Sequence, residues 1–166
     1  MTLHMSNEID STLTEGLLKG YAGSEITDIQ RSGIKGKASH IQLDLRRIYD
    51  DQWFVGSHIG GGQELIEVEG ARFTRLYAGG TPEPEKLKEL GLTPKEVSRY
   101  LKTMIAKLGM QTRLFTECNP DADGDWQYSY KINGNYDEVP LTTAVESIAY
   151  QGKIVHVHTF MLCAIK

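Results

Sequence analysis

The chain has 166 residues, of which 40% are hydrophobic and 24% are charged, and its formal net charge is −4. This composition is typical of one globular domain and excludes a disordered or fibrous chain. The negative charge argues against nucleic-acid binding. Because the sequence contains no apolar run of about 18 residues and no export signal, we expect a cytoplasmic protein without a membrane segment.

The first half of the chain contains one predicted helix and a series of predicted strands. Apolar residues at steps of four predict a helix over 8–21, and the Gly-, Ser- and Lys-rich segment 22–39 is predicted to be a loop. A two-residue turn at Glu69 and Gly70 predicts a β-hairpin. Alternating apolar residues predict strands at 40–47, 51–59, 64–68 and 71–77.

The second half begins with the clearest helix signal. Residues 81–92 form a connector, after which Thr93 and Glu96 make a capping-box pattern and Pro94 suits the first helical position. These signals predict a helix over 94–108 whose apolar stripe packs on a sheet. Further strands are predicted at 126–132, 145–150 and 153–165, with a second two-residue turn at 151–152.

Two hairpin sequences are similar to each other. Residues 64–73 align without gaps with residues 146–155, and an aromatic strand precedes each segment. The aligned positions share three residue types: Glu64 with Glu146, Ile66 with Ile148, and Gly70 with Gly152. We interpret this similarity as an internally duplicated β-hairpin unit.

These elements predict an α+β fold with a mostly antiparallel sheet and one main packed helix. The sheet is expected to be strongly bent or barrel-like. We expect a single domain over 1–166, made of a first β unit at 40–80, a connector and helix at 81–110, and a second β unit at 111–166.

The hairpin register predicts where the carboxylates point. Glu64 should face Arg75 across its hairpin, on the same side as the apolar residues. The same register places Glu146 on the core side without a partner nearby in sequence, and places His156 and His158 on the opposite face. An unpaired inward carboxylate is expensive unless water or a ligand reaches it, and burial would raise its pKa toward a value useful in acid–base chemistry.

Several short motifs indicate a family resemblance. They are Tyr21-Ala-Gly23, the segment from Gly61 to Ile66 with Gly70, Tyr77-Ala-Gly79-Gly80, and residues 146–155. On these motifs the chain resembles an uncharacterised bacterial domain family that occurs alone or fused behind Xre-type helix-turn-helix domains. The segment Thr159-Phe160-Met161 departs from that pattern, in which a more polar ending with glycine is expected. The resemblance implies a sensor or ligand-binding role.

The leading hypothesis is a small-molecule-binding or sensor-type domain with an aromatic-lined pocket between the two β units. The alternatives are a small cofactor-independent acid–base enzyme, such as a lyase, isomerase or cyclase, and a protein-interaction or inhibitor module. The expected partner is a small molecule, with a homodimer as an open alternative.

The predicted site residues follow from these hypotheses. His156 and His158 share one strand face, a spacing that can supply two metal ligands, but no third ligand follows at a recognisable spacing. We therefore predict no metal site and no cofactor. Catalytic roles are left unassigned, with Glu146, His156 and His158 as candidates. The predicted ligand-binding residues are Trp53, His58, Glu64, Arg75, Tyr77, Trp126, Tyr128 and Glu146.

Overall fold

A computed structural model describes residues 3–111, 113–136, 138–139 and 141–165. The helices within these ranges are α1 (Leu3–Lys19), α2 (Pro84–Glu89) and α3 (Pro94–Leu108), followed by a 3₁₀ turn at Gly109–Gln111. The strands are β1 (Thr27–Arg31), β2 (Ile34–Gln42), β3 (Arg47–Val55), β4 (Ile59–Val68), β5 (Ala71–Gly80), β6 (Trp126–Tyr136), β7 (Leu141–Tyr150) and β8 (Lys153–Ile165).

The described strands form one sheet in the order β1-β2-β3-β4-β5-β8-β7-β6, in which every neighbouring pair is antiparallel. The predicted α+β class and antiparallel sheet are confirmed. Of the predicted strongly bent or barrel-like sheet, the barrel-like form is wrong, because β1 and β6 are edge strands and the sheet is not closed. No helix in the described ranges is long and apolar enough to cross a membrane.

The helices and the sheet share one core. Helix α1 contacts β3, β4 and α3. Apolar side chains of α1 and α3 join one buried cluster with residues of the sheet, and the sheet face that contributes to this cluster is called the inner face below. Its members include Leu13 on α1, Ile105 on α3, and Tyr49, Ile66, Ile148 and Phe160 on the sheet.

Two segments differ from the sequence prediction. Residues 22–39, predicted to be a loop, contain β1 and most of β2, which are joined by a turn at Ser32 and Gly33 with φ values of 48° and 81°. This hairpin was missed because β1 is exposed over almost its whole length, so no apolar alternation marks it. The connector 81–92 contains the short helix α2.

Helix α3 begins as predicted. The Thr93 side chain accepts a hydrogen bond from the Glu96 amide, and the Glu96 side chain accepts one from the Thr93 amide. Pro94 occupies the first turn, and the helix ends at Gly109. The predicted capping box and apolar stripe are therefore confirmed, and they fix the helix that lies beside the candidate site.

Both predicted two-residue turns are confirmed. Glu69 and Gly70 have φ values of 51° and 83°, and Gln151 and Gly152 have values of 48° and 74°, as hairpin turns with two positive φ angles require. In the hairpin of β4 and β5, Glu64 lies opposite Arg75, as predicted.

The hairpin of β7 and β8 departs from its predicted register. Ala149 pairs with Ile154, but Ile148 pairs with His156, so β8 has one extra residue at this point. Val155 and His156 are consecutive and yet both buried, with 0% and 5% exposure, as expected at a β-bulge. Beyond the bulge Glu146 lies opposite His158 instead of Val157. The prediction that the two histidines lie on the face opposite Glu146 is therefore wrong.

The α3 stripe yields a stability prediction. We expect Ile105→Ala, at a side chain only 2% exposed, to lower the free energy of unfolding by about 2–5 kcal/mol, because it empties a buried aliphatic site. Leu76→Ala, at a strand residue 40% exposed, is the matched control and should cost less than about 1 kcal/mol. Urea denaturation measures both values, and equal costs would contradict the buried stripe.

Candidate functional site

A buried ion pair connects β4 and β5 on the inner face. Arg75 donates to both carboxylate oxygens of Glu64, through Nε to Oε2 and through Nη2 to Oε1, and both side chains are 1% exposed. Tyr49 on β3 donates its hydroxyl proton to Glu64 Oε1 at 2.8 Å. The charge of each buried partner is thus compensated by the other and by a bidentate hydrogen-bond geometry.

The same guanidinium holds a loop in place. Arg75 Nη1 donates to the backbone carbonyl of Arg113 at 2.5 Å, and the Tyr130 hydroxyl donates to the carbonyl of Leu114 at 3.0 Å. Arg113 has a φ of 80°, a backbone region that side chains other than glycine rarely adopt. These two hydrogen bonds hold that conformation and direct the Arg113 side chain toward Glu146.

Glu146 is fully buried at the centre of a second polar cluster. Its Oε1 accepts a hydrogen bond of 2.7 Å from the Tyr128 hydroxyl and lies 3.2 Å from Arg113 Nε, an ion-pair distance at an angle that does not make a hydrogen bond. Its Oε2 lies 3.4 Å from His158 Nδ1 and 3.8 Å from His156 Nε2. The expectation that Glu146 lacks a partner is wrong, because Arg113 arrives from a loop and both histidines arrive through the bulge.

The ionisation of Glu146 also differs from expectation. Burial alone would raise its pKa, but the positive charge of Arg113 and the polar contacts with the imidazoles of His156 and His158 outweigh burial and hold the pKa well below its usual range. Glu146 is therefore a carboxylate at neutral pH, and the predicted role of a high-pKa acid does not fit it.

Asp51 is the buried carboxyl group whose pKa does rise. It lies opposite Glu64 on the inner face, is 2% exposed, and accepts a hydrogen bond of 3.0 Å from the Tyr77 hydroxyl. Burial and the negative charge of Glu64 raise the pKa of Asp51 to about 8. The sequence analysis missed this residue, although its alternation with Tyr49 and Trp53 places it on the same strand face.

A cleft of about 270 Å³ opens between α3 and the sheet, next to both clusters. Its floor lies where Gly60 of β4 pairs with Gly79 of β5 and where Gly79 pairs with His158 of β8. A Cβ atom at Gly79 would lie 1.9 Å from the Val157 carbonyl oxygen. Glycine therefore lets β5 and β8 approach closely and leaves the space beside His158 open.

The walls of the cleft are mainly aromatic and polar. Tyr21 and Trp53 meet edge to face with ring centroids 6.0 Å apart, and the rings of Tyr77 and His158 are 5.6 Å apart. Burial lowers the pKa of His158, so this imidazole is neutral at pH 7. The residues that line the cleft include Tyr21, Trp53, His58, Tyr77, Ser98 and His158.

The predicted ligand-binding residues fall into three groups. Trp53, His58 and Tyr77 line the cleft together with His156 and His158. Glu64, Arg75, Tyr128 and Glu146 lie buried beneath the sheet surface in the two polar clusters. Trp126 is not among the residues that line the cleft and stacks on Tyr100 of α3, with ring centroids 4.6 Å apart.

A second depression, of about 370 Å³, lies at the other end of the sheet. Its charged side chains bind one another: Arg46 pairs with Glu69, and Arg47 pairs with Asp44. Arg46, Glu69 and Asp44 are exposed and Arg47 is half-buried, and such pairs are common on solvated surfaces. The cleft with its aromatic walls and buried polar floor is therefore the better candidate site.

Comparison of the chain with protein-family models, with curated proteins and with solved structures found no match. The resemblance noted from short motifs therefore stays a prediction.

Asp51 yields a pH-dependent prediction. The native state keeps the Asp51 proton up to about pH 8, whereas the unfolded chain loses it near pH 4, so wild-type stability should fall as the pH rises through this window. We expect Asp51→Asn to remove this loss, since asparagine still accepts the Tyr77 hydrogen bond. Its free energy of unfolding relative to wild type should rise from pH 4 to pH 8 by at most about 1.4 kcal/mol per unit of pKa shift.

Urea denaturation at several pH values measures this trend. Asp10→Asn is the comparison, because burial raises the pKa of Asp10 to about 6. The stability difference between Asp10→Asn and wild type should therefore level off near pH 6. A stability difference between Asp51→Asn and wild type that stays constant from pH 4 to pH 8 would contradict the assignment.

Proposed function

We propose that the chain is a small-molecule-binding domain whose ligand occupies the cleft between α3 and the seam of β5 and β8. The observation that carries the proposal is the lining of this cleft. It combines three aromatic side chains with neutral polar groups, and none of the described residues that line it is Asp, Glu, Lys or Arg. Such a lining favours an uncharged ligand with a flat ring.

The polar groups of the cleft support directional recognition of such a ring. The Ser98 hydroxyl is 3.3 Å from the Tyr21 hydroxyl, and His58 Nδ1 is 2.7 Å from the Ser57 hydroxyl. These groups can exchange their mutual hydrogen bonds for bonds to a ligand at the cleft wall. The volume of about 270 Å³ is close to the lower end of known ligand pockets, so the ligand is expected to be small.

The position of the cleft agrees with an origin by duplication. Tyr49 on β3 donates a hydrogen bond to Glu64 on β4, and Tyr128 on β6 donates one to Glu146 on β7. In both cases the tyrosine lies two positions from the residue that pairs directly with the glutamate. Strands β5 and β8 are neighbours, with Tyr77 opposite Phe160. These relations support two β units arranged about an approximate twofold axis, with the cleft beside their seam.

An acid–base enzyme is the second candidate function. The observation in its favour is the raised pKa of Asp51, which is linked to the cleft through the Tyr77 hydroxyl. In this alternative Tyr77 contacts the substrate and Asp51 acts as a positioning residue behind it. Turnover of a cleft ligand by wild type, with kcat reduced in Asp51→Asn while ligand affinity is retained, would favour the enzyme.

We expect Ser98→Phe to abolish ligand binding, because the added ring extends from α3 into the cleft. Arg99→Phe is the matched control, since it adds the same ring at the next, exposed position of the helix. The probe is a panel of small neutral aromatic compounds, including indole, nicotinamide and free nucleobases. A ligand at 100 times its Kd should stabilise wild type and Arg99→Phe by about 2.7 kcal/mol and leave Ser98→Phe unchanged.

The two tryptophans of the chain provide a second measurement. In Trp126→Phe, Trp53 at the cleft is the remaining tryptophan, and its fluorescence should change as the ligand binds. In Trp53→Phe, Trp126 should report no change. A panel without any saturable ligand, or equal binding by Ser98→Phe and Arg99→Phe, would contradict the proposal.

A further inference from the structure

Three lone-pair atoms converge at the border between the Glu146 cluster and the cleft. His156 Nε2 is 3.3 Å from His158 Nδ1, and Glu146 Oε2 is 3.4 Å from His158 Nδ1 and 3.8 Å from His156 Nε2. The Glu146 carboxylate is fully buried, and its Oε2 receives no hydrogen bond from the described residues.

Protons alone satisfy this arrangement poorly. If both facing nitrogens carried a proton, the two N–H groups would point at each other across 3.3 Å. If only one of the two nitrogens carries a proton, that single proton has to serve two acceptor atoms, the other nitrogen and Glu146 Oε2. A cation bound between them satisfies all three lone pairs at once, because imidazole nitrogen and carboxylate oxygen are both metal ligands.

The distances match the geometry of a bound metal. An ion about 2.1 Å from each of three tetrahedral ligands holds the ligand atoms about 3.4 Å apart, and the observed separations of 3.3, 3.4 and 3.8 Å lie close to that value. We propose that Glu146, His156 and His158 bind one divalent transition-metal ion through Oε2, Nε2 and Nδ1. This proposal replaces the sequence prediction of no metal site, which rested on two histidines without a recognisable third ligand.

The surroundings of Glu146 fit the role of a ligand. Tyr128 and Arg113 occupy the side of Oε1, so they orient the carboxylate and leave Oε2 for the ion. The charge of Arg113 opposes a hard cation that relies on carboxylate charge, such as Mg²⁺ or Ca²⁺. It therefore favours a metal that gains affinity from imidazole, such as Zn²⁺, Co²⁺ or Fe²⁺.

The ion would also meet the cleft. Three protein ligands leave at least one coordination position for water or for a ligand, and both histidines belong to the cleft lining. A role of the ion in ligand recognition rests on the proposed function. Binding of the ion itself does not, because it depends only on Glu146, His156 and His158.

The test is titration of chelator-treated protein with Zn²⁺ by calorimetry and with Co²⁺ by visible absorption. We expect one ion per chain and a Co²⁺ spectrum with the intensity of a four- or five-coordinate site. Glu146→Gln, His156→Gln and His158→Gln should each abolish this binding. Tyr128→Phe should weaken it by about 10–100-fold, as loss of a group that orients a ligand does.

His40→Gln is the matched control, because His40 is exposed on β2 and is neither a cleft-lining residue nor one of the three ligands. It should bind Zn²⁺ and Co²⁺ with wild-type affinity. Circular dichroism establishes which variants are folded, and any one folded ligand variant suffices for the comparison. No binding by wild type at millimolar Zn²⁺ or Co²⁺, or equal affinity in His40→Gln and a folded ligand variant, would overturn the proposal.

The compound panel separates the two proposals when it is repeated with and without Zn²⁺. Metal binding by wild type without any saturable cleft ligand would overturn the proposed function alone. A cleft ligand that binds chelator-treated wild type, in a protein that takes up no metal, would overturn the metal site alone.

Discussion

The buried guanidinium of Arg75 is the group on which the arrangement of the inner face depends. A charge removed from water has to be paired and hydrogen-bonded, and Arg75 meets this requirement through Glu64 on one side and the Arg113 carbonyl on the other. The second contact holds the loop that delivers the Arg113 side chain to Glu146. One buried charge in the first hairpin therefore positions the charge partner of the second.

The two clusters solve the same electrostatic problem in different ways. Around Glu64 the partner is a bidentate arginine on the neighbouring strand, which occupies both carboxylate oxygens. Around Glu146 the arginine comes from a loop and occupies one oxygen only, while His158 stands where Arg75 stands in the first hairpin. Both carboxylate oxygens of Glu64 accept hydrogen bonds, whereas Glu146 Oε2 accepts none from the described residues.

Local signals in the sequence predicted much of the fold. The capping box at Thr93, both hairpin turns and the pairing of Glu64 with Arg75 depend on residues close in the chain, and the structure contains all of them. The candidate site was harder to predict, because its parts meet only through tertiary contacts. Arg113 lies in a loop without periodicity, and the pKa of Asp51 is raised by burial and by the charge of Glu64 on the neighbouring strand.

The bulge at Val155 adds one residue to β8, and this one residue determines which side chains of β8 face Glu146 on the inner face. Without it Glu146 would lie opposite Val157, and both imidazoles would point away from the carboxylate. No single side-chain replacement moves two histidines together across a sheet, but one inserted codon does. One extra residue in β8 therefore decides whether the buried carboxylate of Glu146 faces two imidazoles or an aliphatic side chain.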